Sequence, residues 1–168
     1  MARALALATM CLLAAGLSSI AGQGLFGAPL SAEYVRAAPV QPGSPTAVVK
    51  PFYEHVGLEL DLAQRNHFVD PAKSVLDKSD ALRKSGQGEC LDPNMALDNA
   101  AYDRAEIDNS LKTVEAVKGD EAKVIVAFTV AGNPHRLEWK FRKVDGDWKV
   151  TDLLSVTGEW ALSQYQCE

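Results

Sequence analysis

The side chains able to move a proton in this chain are few and scattered. Tyr53, Glu54 and His55 stand together. A general acid or base needs a carboxylate, imidazole or phenol with a tuned pKa and a polar partner within reach. Tyr53 falls on an apolar helical stripe, which turns its hydroxyl inward. The commoner occupant of such a position is a core tyrosine whose hydroxyl has found a partner. Glu54 and His55 fall off the stripe and are expected in solvent. No catalytic pair can be assembled by spacing, so no catalytic residue is assigned.

The histidines His55, His67 and His135 show no His-x-x-x-His spacing and are expected at the surface. Asp92, Asn94, Asp98 and Asp103 raise a calcium reading. An EF-hand loop needs Gly at its sixth position and Glu at its twelfth, and here those positions hold Leu97 and Asp103. They are read as caps and loop solvation. No metal site and no cofactor are expected.

The chain has 168 residues, enough for one ordinary domain. It opens with Arg3, an apolar run from Ala4 to Ala15, and small residues at Ser19 and Ala21. This is the pattern of a secretory signal cut after Ala21; the rival reading is an uncleaved N-terminal anchor. The apolar run is short for a membrane span, which needs ~20 apolar residues. No stable membrane insertion is expected after cleavage. Removal of residues 1–21 takes away Arg3 alone among the charged residues. It leaves 16 basic against 22 acidic side chains, a net charge of −6. That balance argues against a nucleic-acid or anionic-membrane partner.

Two cysteines survive the cut, Cys90 and Cys167. In an oxidising, periplasmic or secreted setting they are expected to form a disulfide, which would rule out a Cys–His nucleophile. The alternative is two unpaired thiols, one buried and one in a frayed tail.

Residues 22–45 are rich in Gly, Ala, Pro and Ser and read as a flexible linker. The single domain is expected over 46–168. Ser44 suits an N-cap and Pro45 a first helical turn; Val48, Val49, Phe52, Tyr53 and Val56 make one stripe, kinked at Pro51, with Gly57 as the stop. Asp70-Pro71 opens a second helix with Ala72, Val75, Leu76 and Leu82 inward, ended by Gly86 and Gly88. A short helix over 95–101 is possible.

From Leu111 the period becomes two. Strands are expected over 111–117, around Val124, Val126, Phe128 and Val130, around Leu137, Trp139 and Phe141, and around Trp148 and Val150 to about Leu153. The turns are Gly119-Asp120, Gly132-Asn133-Pro134 and Asp145-Gly146. A C-terminal helix or tail carries Trp160, Leu162 and Tyr165. Helices first and a consecutive meander second is an α+β fold, with the helices covering the apolar sheet face.

Three stretches carry a family resemblance: Val48-Val49-Lys50-Pro51-Phe52-Tyr53; the segment from Val114 through Gly119-Asp120 to Val124; and the segment from Trp139 through Asp145-Gly146 to Leu153. Together they resemble the nuclear-transport-factor-two-like (cystatin-like) superfamily. Within it, the chain is most similar to exported bacterial proteins that carry a domain-of-unknown-function label. The resemblance implies N-terminal helices packed on a curved antiparallel meander, cone-shaped, with a pocket between helices and sheet. Some members place Asp and Tyr, or His and Asp, in that pocket. A fold of this kind does not by itself transfer an activity.

The candidate ligand-binding residues are Tyr53, Trp139 and Trp148. Aromatic residues at period two on a covered sheet face are more often simple core. The expected role is an exported, non-enzymatic domain that binds a protein partner or a small apolar ligand. The alternatives are a small isomerase- or hydrolase-like enzyme using the pocket, and an envelope or immunity-type inhibitor acting through loops 86–109 and 131–136.

Overall fold

The computed structural model describes residues 39–168. The expected signal segment 1–21 and residues 22–38 of the expected linker lie outside the described residues. The first helix begins where the capping residues sit. The Ser44 hydroxyl accepts the Ala47 N–H at 3.2 Å, and Pro45 opens helix α1 (Pro45–Val49). Pro51 has no N–H to give and its ring crowds the Ala47 carbonyl, so the helix breaks rather than bends. A second helix, α2 (Pro51–Glu54), starts at once. The single kinked helix of the sequence reading is therefore two short ones. Val56, expected on the apolar stripe, is 42% exposed.

Helix α3 (Ala72–Ser85) begins one residue later than the cap-then-proline reading implies. Pro71 occupies the cap, and the Asp70 carboxylate takes the Ser74 hydroxyl at 2.6 Å rather than a backbone amide. It ends where Gly86 turns left-handed at φ 73°, with Gly86 and Gln87 returning their N–H groups to Arg83 and Leu82. The helix expected over 95–101 is one 3-10 turn, Met95–Leu97. It is stopped by Asp98 and Asn99, both at positive φ. A further helix, α4 (Arg104–Ser110), escaped the sequence reading. Asp103 caps it by accepting the Glu106 N–H at 3.0 Å.

The sheet is an open antiparallel meander in the order β1 (Lys112–Lys118), β2 (Glu121–Val130), β3 (Asn133–Val144), β4 (Asp147–Ser155) and β5 (Trp160–Ala161). The class is α+β, as the order of elements dictates. The loop expected at 132–134 is shorter. Ala131 and Gly132 alone make the turn, both at positive φ, as do Asp145 and Gly146. That pairing of left-handed residues matches the twist of two-residue hairpins. A 3-10 turn, Leu162–Gln164, follows β5 where a C-terminal helix or tail was expected.

One sheet face is apolar because period two sends Val124, Val126, Phe128, Leu137, Trp139, Phe141 and Val150 the same way; all are buried. The helices cover it. Phe52 packs on Trp139 at 4.9 Å and edge-on to Phe68 at 5.8 Å, while Tyr53 packs on Phe128 at 5.8 Å. Thr46 fastens α1 to β1, its N–H and hydroxyl both donating to Glu115 at 2.8 and 2.6 Å. Cys90 and Cys167 are bridged, with Cα atoms 5.6 Å apart. The bond ties the C-terminal segment to the loop after α3.

Beneath these layers lie a buried ion pair and a buried carboxyl group. Arg65 donates to Asp80 at 2.6 Å with both side chains nearly excluded from solvent. Glu59 is 1% exposed. Its Oε1 accepts the Ala96 N–H at 3.0 Å, and its Oε2 has no partner among the described residues. Burial pushes its pKa up to about 6 from the ordinary 4.5, against the opposing pull of the Ala96 amide.

A folded-state value above the unfolded one means the folded chain holds a proton that the unfolded chain releases. Stability is then fully present below about pH 4.5 and drains away as pH rises through about 6, by about 2 kcal/mol in all. Glu59→Gln is expected to remove that slope. Urea denaturation of both proteins at pH 4 and pH 7.5 checks it. A difference between them that does not change with pH would contradict the assignment.

Candidate functional site

The residues first picked for ligand binding lie in the core. Tyr53 is 2% exposed, Trp139 fully buried and Trp148 9% exposed. The Trp139 indole N–H donates to the Tyr53 hydroxyl at 2.9 Å, so the one polar handle in this region is engaged within the protein. Burial also pushes the Tyr53 pKa well above its ordinary value, which keeps the phenol neutral. Trp148 sits at the far hairpin, with the Lys143 ammonium 5.4 Å over its ring. Glu54 pairs with Lys50 at 3.6 Å across one helical turn, and His55 is exposed. Among the described residues, no group of three or more His, Cys, Asp or Glu is placed to hold a metal ion. No helix among them is long and apolar enough to cross a membrane.

A different constellation stands at the end of the sheet where β1 begins and β2 turns into β3. Asp98 is its centre. Its side chain is only 6% exposed. It is held in the left-handed region at φ 56°, where aspartate is among the few tolerated non-glycine residues. Both carboxylate oxygens are used: Oδ2 lies 3.1 Å from His135 Nδ1, and Oδ1 accepts the Trp160 indole N–H at 3.0 Å.

Gly158 makes room for the carboxylate. A Cβ there would stand 2.9 Å from Asp98 Oδ1, and equally close to Ser155 Oγ and Trp160 Cδ1. Three distant segments thus meet on one carboxylate: the loop after the 3-10 turn at Met95–Leu97, the first residues of β3, and the turn between β4 and β5.

The contact to Asp98 fixes the imidazole. A carboxylate accepts, so Nδ1 carries the hydrogen and a neutral ring has its free lone pair on Nε2. The ring is stacked on Phe128 at 5.2 Å and 16°, and its side chain is 16% exposed. Beside it opens a concavity of about 540 Å³, whose walls include His135, Lys112, Arg136, Asn109 and Thr157. Neither Lys112 nor Arg136 forms an ion pair with another described residue.

A second hydrogen bond locks the neighbouring turn: the Glu106 carboxylate accepts the Ala131 N–H at 2.6 Å. Ser110 Oγ accepts the Thr129 N–H at 2.9 Å and holds the end of α4 against β2. Val156, whose N–H donates to the Arg136 carbonyl at 2.8 Å, is 50% exposed, and Tyr102 in the loop before α4 is 40% exposed.

Sequence reading put Asp98 among loop-solvating residues and His135 among surface histidines. Their partnership spans 37 positions and has no local spacing to betray it. The one local signal nearby was Asp103 followed three residues later by Glu106, the mark of a capping box.

No protein-family model matches the chain, and no curated protein sequence matches it. Among solved structures, a chain in the crystal structure of the type VI native effector–immunity complex Tae3–Tai3 from Ralstonia pickettii is similar. The identity is 18% and the TM-score 0.46, over 74% of this chain and 99% of that one. A likeness of that size assigns neither a family nor a partner.

Proposed function

We propose that this is an exported, non-enzymatic protein-binding domain of the inhibitor type, which meets its partner with the surface formed by loops 86–109 and 131–136. The observation that carries the reading is Asp98, which bonds one of these loops to the other through His135 and to the adjoining turn through Trp160. Two segments far apart in sequence form one prepared surface with His135 and Arg136 at its rim and the exposed Tyr102 in the first of the two loops; arginine and tyrosine are residue types suited to anchoring a partner. The interior gives the opposite impression. Tyr53, Phe52 and Trp139 fill the space between helices and sheet, so a nuclear-transport-factor-two-like scaffold, which this proposal retains, would here have its pocket closed by side chains.

The disulfide supports the oxidising compartment that the reading requires. A photo-crosslinking residue at Tyr102, compared with one at Lys78 on α3, tests the surface in cells making the full chain. A discrete protein adduct from position 102 alone is expected, and the captured protein should lose activity when the free chain is added back. No adduct at 102, or a captured protein indifferent to the chain, would count against the reading.

A second reading rests on one specific feature, the Asp98–His135 pair beside an open concavity. Such a pair can serve as a general base through Nε2. His135→Gln separates the two readings. It keeps a donor for Asp98 and cannot take up a proton, so adduct formation should survive in an inhibitor while any turnover by an enzyme would disappear.

A further inference from the structure

The formal charge of the chain is −5, yet its charges are not mixed evenly. Directly paired residues on neighbouring strands share a sheet face. The pairing Lys112–Ala127–Arg136 therefore sets one row on the face turned away from the helices. A second row is Val114–Ile125–Glu138–Leu154. A third runs through Lys123 and Lys140 to Asp152, and a fourth through Lys118, Glu121, Arg142 and Lys149.

Acidic groups on this face are largely engaged. Glu138 is taken by Lys123 at 2.9 Å and Asp147 by Lys149 at 3.6 Å. Asp152 is 8% exposed and accepts from the Ser163 hydroxyl at 2.8 Å. Glu121 alone stands between two bases, Lys118 and Arg142. Lys112, Arg136 and Lys140 have no ion pair among the described residues. The floor between these cations is apolar: Val114 is 66% exposed, and Ile125, Ala127 and Leu154 are half-buried.

An antiparallel sheet can leave one face in water, and that face is then ordinarily mixed in sign. Here an acidic chain concentrates positive charge on an apolar floor. We infer that the outer face of the sheet is a docking surface for an acidic protein; it meets the loop surface described above at Lys112 and Arg136 and extends beyond it through Lys140 and Arg142. Charge complementarity names the sign of the partner. The negative groups inside the patch name its class. Glu121 and the ion-paired Glu138 are set among the cations in fixed positions, a pattern that a folded protein can complement residue by residue and a fluid bilayer surface cannot. The short side chains Val114, Ala127 and Ile125 also offer no aromatic or long apolar anchor to insert into lipid.

The probe is immobilised poly-L-glutamate at low ionic strength, with vesicles of phosphatidylethanolamine and phosphatidylglycerol run beside it. The full chain is expected to bind polyglutamate despite its negative net charge, more weakly as salt rises. Lys140→Glu with Arg142→Glu should weaken that binding at least about tenfold. Lys78→Glu with Lys84→Glu on α3 changes net charge equally and should leave it nearly untouched. Lys140→Gln with Arg142→Gln, whose thermal unfolding is checked in parallel, guards against a folding defect. Absence of binding by the unmutated chain, or equal loss in the two Glu pairs, overturns the inference. Sheet-dependent binding to the vesicles in preference to polyglutamate also overturns it and assigns the face to a membrane.

Discussion

Replacing Cys90 and Cys167 together by serine is expected to lower the stability of the folded domain by about 4 kcal/mol. The bridge joins residues 77 apart, and closing a loop of that size removes much of the unfolded chain's freedom. Little else holds the C-terminal segment. β5 has two residues, and the 3-10 turn after it has three. What remains is the packing of Ala161 and Leu162 in the core, the Trp160 bond to Asp98 at 3.0 Å, Trp160 against Tyr165 at 6.3 Å, and the Ser163 bonds to Asp152. In a domain of this size the loss should appear as a fall in melting temperature of roughly 15 °C. The same shift should follow when the unmutated protein is reduced with dithiothreitol. A loss under about 1 kcal/mol would show that the segment docks without the bond, or that the unfolded chain is already compact enough to make the constraint redundant.

Asp80→Ala is expected to cost about 3 kcal/mol, from an interaction whose double removal should cost little. Arg65 enters the protein on the 3-10 turn Leu62–His67 and reaches α3, where Asp80 meets it at 2.6 Å. The pair is buried on both sides, so truncating Asp80 strands a guanidinium away from water. Asp77 lies 3.2 Å from Arg65 Nε, but that carboxylate is 44% exposed and replaces only part of the lost charge. The Arg65 Nε and Nη1 already make no hydrogen bond, which leaves the guanidinium little reserve. Arg65→Met with Asp80→Leu restores packing without charge and should fall within about 1 kcal/mol of the unmutated protein. A urea double-mutant cycle measures both. If Asp80→Ala proves as mild as the double variant, Arg65 must find water or Asp77 after the loss, and the pair is not a sealed one.

The sheet was legible in the sequence because each strand repeats at period two with its apolar members in phase. Val124, Val126 and Phe128 on β2 and Leu137, Trp139 and Phe141 on β3 point one way, and Asp145-Gly146 fixes the hairpin between β3 and β4. Strand β5 was not legible, because two residues carry no period, and the stretch around Trp160 was read as a helix or tail. Helix α4 has one buried apolar residue, Ile107, so it left no stripe. Its announcement was the Asp103–Glu106 cap alone. Pro51 was read as a kink because a sequence does not say whether packing will hold a helix together across a missing hydrogen bond. The Asp98 site was invisible for a different cause: it exists only where β3 and the β4–β5 turn bring His135 and Trp160 to a loop residue. Net charge, likewise, is a sum, and it conceals that Lys112, Arg136 and Lys140 stand on a common sheet face.

The three-way junction at Asp98 also bears on how tightly the loop surface can be gripped. Loops free to move must be ordered when a partner arrives, at about 0.5–1.5 kcal/mol for each side chain immobilised. Here one carboxylate has already fixed the loop, the first residues of β3 and the turn at Gly158 during folding. A partner of the proposed kind would therefore meet a rigid template, and its dissociation rate should reflect contact quality rather than the recoil of three slack segments.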